Sequence, residues 1–167
     1  AKTPASLRYM HTLFRENARH RRIQKIYHAL VTGDWSGGTR RIDLGLSKRR
    51  VAGSLRRSIV SRSGENALSY FKPVERFGNY TLMEIKLGTG RMHQIRAHAA
   101  AVGHAVVGDK MYGHRGSRKE VRRLGIRRQL LHASSLVFPH PETSRRLVVR
   151  APYPEDLSRV LSLVEHG

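Results

Sequence analysis

The chain has 167 residues, with 32 Lys or Arg against 12 Asp or Glu, so its formal net charge is +20 with ten His left uncounted. It contains no Cys, which excludes disulfides, thiolate metal sites and a cysteine nucleophile and suits a reducing compartment. Hydrophobic residues make up 39% of the chain and are spread along it; that is too many for global disorder, yet no apolar run approaches the roughly 20 residues of a spanning helix. So positive a body attracts polyanions, nucleic acid or an anionic membrane surface, and the excess of Arg over Lys favours phosphate forks and base stacking.

In chain order, Thr3 suits an N-cap and Pro4 a first helical position, and Leu7, Met10, Leu13 and Phe14 recur at helical spacing. The Arg-rich stretch 15–22 is either the solvated end of that helix or a phosphate-facing arm. Ile26–Val31 alternates as a strand and stops at Thr32-Gly33-Asp34. The segment 35–63, rich in Gly, Ser and Arg, reads as a long loop with short strands. Two strands are expected over 67–76 and 80–87, joined by a turn at Phe77-Gly78-Asn79. Met92–Val102 is rich in Ala and predicts a helix ending at Gly103. The stretch 115–128 carries seven Arg or Lys and reads as a basic helix or mobile loop. Strands over 130–138 and 145–150 flank a turn, and 154–164 closes the chain as a helix with Glu155 and Asp156 in its dipole-favoured first turn. The pattern is α+β, a mixed, mainly antiparallel sheet flanked by helices.

The densest constellation runs from Gly88 to His98 and on to Gly103-His104 and Gly108–Gly113. Glycines ahead of a helix allow close backbone approach, and the helix start offers unpaired N–H groups to an anion. Arg91, His93, Gln94 and Arg96 add donors within one turn. An anion or nucleotide site and an ordinary glycine turn with an exposed polar face both fit these residues. A metal site is not expected: His93 and His98 stand five apart, there is no HExxH, and Asp109 is a single remote carboxylate. The P-loop lysine and the full GxGxxG are missing, and Ser134 and Ser135 lack a nucleophile elbow.

Four ordered segments carry a family resemblance. Lys25-Ile-Tyr27-His-Ala-Leu-Val-Thr-Gly33 resembles K-x-Y-x-A-x-V-x-G. Thr89-Gly-Arg91-Met-His93-Gln94-Ile95-Arg96-Ala-His98 is similar to T-G-R-x-H-Q-[IL]-R-x-H. Gly103-His-Ala-Val-Val-Gly108-Asp109-Lys-Met-Tyr112-Gly113 resembles G-H-P-I-x-G-D-x-x-Y-G, with Ala105 in the proline position. Leu131-His-Ala133 through Phe138-Pro-His140-Pro141 resembles L-H-A-x-x-L-x-F-x-H-P. Together they resemble the RluA-type pseudouridine synthases, which isomerise uridine in ribosomal or transfer RNA, over essentially the whole chain.

That resemblance implies a single catalytic domain over 1–167, no cofactor and no metal, an RNA partner (ribosomal RNA first), no membrane, and a monomer in the cytoplasm or an organelle matrix. Tyr27 would stack on the flipped uridine, although a packed strand tyrosine is the plain reading of the residue alone. Ile95 would wall the uracil pocket, with Arg91, His93 and Gln94 beside the substrate. Arg96 would ion-pair with the catalytic aspartate. Arg19, Arg21, Arg22, Lys25, Arg118, Lys119, Arg122 and Arg123 would contact RNA phosphates. The family's H-R-L-D segment, which bears that aspartate, has no counterpart among Asp34, Asp43, Asp109 and Asp156. It is expected upstream of Ala1, which makes the domain N-terminally incomplete and this chain inactive alone. The alternative is a non-catalytic RNA-binding or ribosome-assembly protein, in which Arg96 is free to bind a phosphate.

Overall fold

The computed structural model describes residues 3–20, 22–52, 55–114 and 118–166, with side chains except at 18–20, 52 and 118. A first helix, α1 (Pro4–His20), starts where Thr3 Oγ1 accepts the Ser6 N–H at 3.2 Å. Asn17 ties its end to the chain that follows, accepting the Ile23 N–H at 2.6 Å and donating to the Ile23 carbonyl at 3.3 Å. Eight strands follow: β1 (Gln24–Thr32), β2 (Arg40–Asp43), β3 (Leu46–Ala52), β4 (Leu55–Val60), β5 (Leu68–Phe77), β6 (Tyr80–Leu87), β7 (Leu131–Pro139) and β8 (Arg146–Arg150). Between β6 and β7 lie α2 (Gln94–Ala101) and α3 (Arg118–Arg123), and α4 (Glu155–Glu165) comes last.

Six strands form one sheet in the order β2-β5-β6-β1-β7-β8, each neighbouring pair antiparallel. The remaining two, β3 and β4, pair as a separate hairpin. This is the expected α+β architecture. The segment 35–63 holds more structure than expected, because the exposed Lys and Arg of β3 and β4 hide the period-2 signal that a half-buried strand displays.

The central strand β1 is buried on both faces. Ala29 and Val31 join a core with Trp35, Phe71, Met83, Ile85, Ile95 and Val106, so this face is covered by α2. Leu30 points the other way, into a core with Leu82, Leu124, Leu130, Leu157 and Val160, covered by α4 and the end of α3. Double burial explains the unbroken Ala-Leu-Val run.

Trp35 is fully buried and stacks on Phe71 at 5.8 Å between centroids and 9° between planes, with the Arg40 guanidinium 4.6 Å from its ring. Truncation there removes the largest buried side chain of the first core. Trp35→Ala is expected to cost about 3–5 kcal/mol, read as a lowered urea midpoint by circular dichroism; an unchanged midpoint would show that this ring is dispensable.

Candidate nucleic-acid site

The loop from β6 to α2 is shaped from inside by one amide. Gln94 is 2% exposed. Its Oε1 accepts from the Arg91 N–H at 2.9 Å and the Thr89 hydroxyl at 2.8 Å, and its Nε2 donates to the Leu68 carbonyl at 2.9 Å and Ser69 Oγ at 2.8 Å. Both ends of the amide are thus engaged within the chain, and Gln94, expected beside the substrate, shapes the loop from inside. The same loop turns at His93, whose φ of 51° is left-handed, so α2 begins at Gln94 rather than at Met92.

The hydrogen-bond chain continues into the core. Ser69 Oγ lies 3.1 Å from Nδ1 of fully buried His98, whose Nε2 lies 3.0 Å from the Leu44 carbonyl. The carbonyl can only accept, so Nε2 carries the proton and Nδ1 accepts from the serine. Burial pushes His98 below the usual imidazole range, against the weaker upward effects of the Leu44 hydrogen bond and Asp43.

The second motif loop folds around a carboxylate. Asp109 has a fully buried side chain. It takes Arg96 Nε on Oδ2 at 2.6 Å and Nη2 on Oδ1 at 2.8 Å, and Oδ1 also accepts the Met111 and Tyr112 N–H groups at 2.9 and 3.0 Å. Burial pushes the carboxyl up, but the Arg96 hydrogen bond and the two amides outweigh it and hold Asp109 below the usual carboxylate range. Both flanking glycines are required. A Cβ on Gly108, at φ 78°, would lie 2.2 Å from the Arg128 carbonyl oxygen, and one on Gly113 would lie 2.2 Å from the Asp109 carbonyl oxygen. Arg96 commits its Nε and Nη2 to Asp109, and neither contact uses Nη1.

Around this pair stand Tyr112 and His93. Two guanidinia lie over the Tyr112 ring, Arg57 at 5.0 Å and Arg96 at 4.9 Å from its centroid. Its hydroxyl accepts the Ser58 N–H at 2.7 Å and sits 3.3 Å from His93 Nδ1, with the two rings edge-to-face. Burial and the nearby Arg96 hold His93 below the usual imidazole range, against Asp109.

Tyr27 lies on β1 and packs, half-buried, against the core cluster that holds Ile95. Ile95 is itself buried. The β1–β7 register shifts between Ile26 and Tyr27, leaving Ser134 as the extra residue, and such bulges re-aim neighbouring side chains. Tyr27 lines a largely apolar groove of about 360 Å³ with Phe14, Lys25, Ala133, Leu136 and Val149. Arg91 is turned away into an ion pair with Glu65 and a 3.1 Å hydrogen bond to the Asn66 carbonyl. Of the basic residues, Lys25 stands 5.3 Å over the Phe14 ring, Arg123 pairs with Glu120 at 2.6 Å, and Arg22 and Arg122 are exposed. Arg21 lies outside the described residues, and of Arg19 and Arg118 the structure describes the backbone alone.

Sequence reasoning missed the hairpin. Lys48, Arg49 and Arg50 on β3 oppose Ser58, Arg57 and Arg56 on β4, with no carboxylate between Leu46 and Val60. Like charges directly opposite destabilise a ladder, and among the described residues none of Lys48, Arg49, Arg50 and Arg56 has an ion-pair partner. The available signal was the two basic runs flanking Val51-Ala-Gly-Ser-Leu55.

Comparison with known proteins bears out the resemblance. Residues 1–101 match the family of RNA pseudouridylate synthases, and the chain belongs to that family. Over 156 residues it is 38% identical to an uncharacterized RNA pseudouridine synthase of Mycobacterium bovis, covering 92% of this chain and 49% of that protein. It is 36% identical over 161 residues to ribosomal large subunit pseudouridine synthase C of Yersinia pestis, covering 96% and 49%. The chain thus spans about half the length of the curated relatives it matches. The solved human RNA pseudouridylate synthase domain containing 1 superposes with a TM-score of 0.76 at 27% identity, covering 92% of this chain and 62% of that one.

Two outcomes follow from the geometry. Removing either partner strands a buried charge, so Arg96→Ala and Asp109→Ala are each expected to destabilise by about 3–5 kcal/mol. The double variant should lose much less than their sum, and additive denaturation midpoints would mean that the two side chains act independently. For pH, the unfolded chain takes up a proton near the usual histidine value of 6.5 that folded His98 refuses. Stability is then full above that pH and declines below it. Melting temperatures between pH 7 and 5 should fall, with a shallower slope in His98→Gln; His28 and His93, also held low by burial, supply the remainder.

Proposed function

We propose that this protein isomerises uridine in ribosomal RNA to pseudouridine, and that the observation carrying the reading is Tyr27, a half-buried ring beside a bulge in an apolar groove. A flipped uracil needs a flat partner and a dry wall to offset the few kcal/mol lost on unstacking. Tyr27 supplies the platform, and the Ile95 cluster supports it from behind.

On this reading the reaction's aspartate belongs to the H-R-L-D segment that the family carries ahead of the residues matched here. In support, each of this chain's four aspartates is already ion-paired: Asp34 with Arg76, Asp43 with Arg41, Asp109 with Arg96 and Asp156 with Arg128. Asp109 fixes Arg96 by two of its nitrogens, which leaves Nη1 as the donor assigned to the incoming carboxylate. That carboxylate displaces uracil N1 from ribose C1′, the freed uracil turns, its C5 displaces the carboxylate from C1′, and the C5 proton passes to water while N1 takes one up, so that a C–N bond is exchanged for a C–C bond and the carboxylate is regenerated. Arg22, Lys25, Lys119 and the β3–β4 hairpin hold the phosphates, whose neutralisation supplies most sequence-independent affinity. The pairing of all four aspartates equally favours the second reading, an RNA-binding protein of the same fold without catalysis.

The two separate in one assay. The protein from its source, with its native ends, is incubated with ribosomal RNA carrying tritium at uridine C5, and label released to water is counted. Release is expected; RNA binding without release establishes the non-catalytic reading. Tyr27→Ala should lower kcat/KM by the loss of one stacked base, about 1–3 kcal/mol or roughly 5- to 150-fold, and Tyr27→Phe should recover most of it.

A further inference from the structure

The basic stretch around α3 divides in two. Arg123 pairs with Glu120, and Arg128 with Asp156 at 2.7 Å. Arg122 and Arg127 have no carboxylate partner among the described residues, nor has Lys110 from the Asp109 loop. These three line one cavity of about 480 Å³, together with the apolar side chains of Val121 and Ile126. Asp109 is the cavity's only carboxylate, and Arg96 already neutralises it. The local charge is therefore strongly positive and uncompensated.

The walls of this cavity are fixed by backbone geometry. The turn that ends α3 is closed by the Gly125 N–H on the Arg122 carbonyl and the Ile126 N–H on the Val121 carbonyl, both at 2.9 Å. The chain after it presses on the Asp109 loop so closely that a Cβ on Gly108 would meet Ile126 Cγ2 at 2.6 Å. Val121, Arg122, Ile126 and Arg127 are thereby held at set positions against Lys110. A volume of this size accepts a small-molecule-sized ligand. Its chemistry asks for an anionic group at the rim and a flat or apolar body on the floor, which describes a nucleoside phosphate.

We infer that the cavity between the Asp109 loop and α3 is a nucleotide pocket, and that it takes a nucleotide of the bound RNA other than the uridine that stacks on Tyr27. The inference rests on the RNA-modifying reading above in its second half only. Lys110, Arg122 and Arg127 hold the phosphate, and Val121 and Ile126 bear the base. Asp109 belongs both to the lining of this pocket and to the ion pair with Arg96, so the pocket adjoins the Arg96 site.

The test uses the full chain and uridine 5′-monophosphate as probe, titrated by calorimetry. Binding is expected, with inorganic phosphate competing and uridine alone binding at least about ten-fold more weakly, since phosphate contacts carry most such affinity. Val121→Trp, which fills the cavity at unchanged charge, should abolish binding. Arg122→Glu and Lys110→Glu, both at exposed positions, should do the same without burdening the fold. With ribosomal RNA, each charge variant should flatten the salt slope of log Kd by about one. Absence of nucleotide binding, or equal binding by Val121→Trp, overturns the pocket. Nucleotide binding with unaltered RNA affinity in all three variants assigns the pocket to free nucleotide and overturns its RNA role. Neither readout depends on turnover, so a protein that releases no tritium still decides the inference.

Discussion

Arg96 and Asp109 meet across a gap of 13 residues, with a guanidinium fork closed on a buried carboxylate. Nearly every other feature of the site is placed by that contact. It fixes α2 against the loop that follows it, because one partner sits in the first turn of the helix and the other in the loop. It brings the Met111 and Tyr112 amides to the same carboxylate oxygen, which sets where the Tyr112 ring stands. Through that ring it reaches Ser58 and Arg57 on the separate hairpin. A buried pair of this kind adds little net stability when compared with apolar replacements, but it is costly to half-remove. Its value here is orientation.

A second constraint acts on the same helix. The amide of Gln94, the hydroxyl of Ser69 and the ring of His98 form one line of hydrogen bonds from the Thr89–Arg91 loop to the Leu44 carbonyl. Each member has its partner, so the line can be buried without an orphaned group. It stitches α2 to β5 and to the chain after β2, while apolar contacts through Ile95 and Ala99 hold the same helix onto β1. The site is thus mounted on a helix locked from both its polar and its apolar sides.

Much of this was legible in the sequence. Alternation in β6 and the Gly78-Asn79 turn gave the β5–β6 hairpin, and the apolar spacing of Leu157, Val160, Leu161 and Val164 gave α4. The motif segments marked the right loops. What residue types do not reveal is direction. Gln94 and Arg91 have the hydrogen-bonding capacity of substrate ligands, yet their partners are Ser69, Leu68, Glu65 and Asn66. Those partners lie 25 or 26 residues away in the chain, and the β5–β6 pairing brings them near. Asp109 was hidden for the same reason, since a lone carboxylate looks remote until the fold supplies its arginine. The β3–β4 hairpin escaped because its strands carry charge where a packed strand carries apolar side chains.

That hairpin has an unusual relation to ionic strength. Arg49 faces Arg57 and Arg50 faces Arg56, so added salt screens their mutual repulsion and favours the closed ladder. The same salt weakens any grip on a polyanion, because counterion release then yields less free energy. One set of guanidinium groups therefore answers to salt with opposite signs in the free and the bound protein. At low ionic strength the polyanion itself acts as the screen, and the hairpin is most firmly shaped when something negative lies along it.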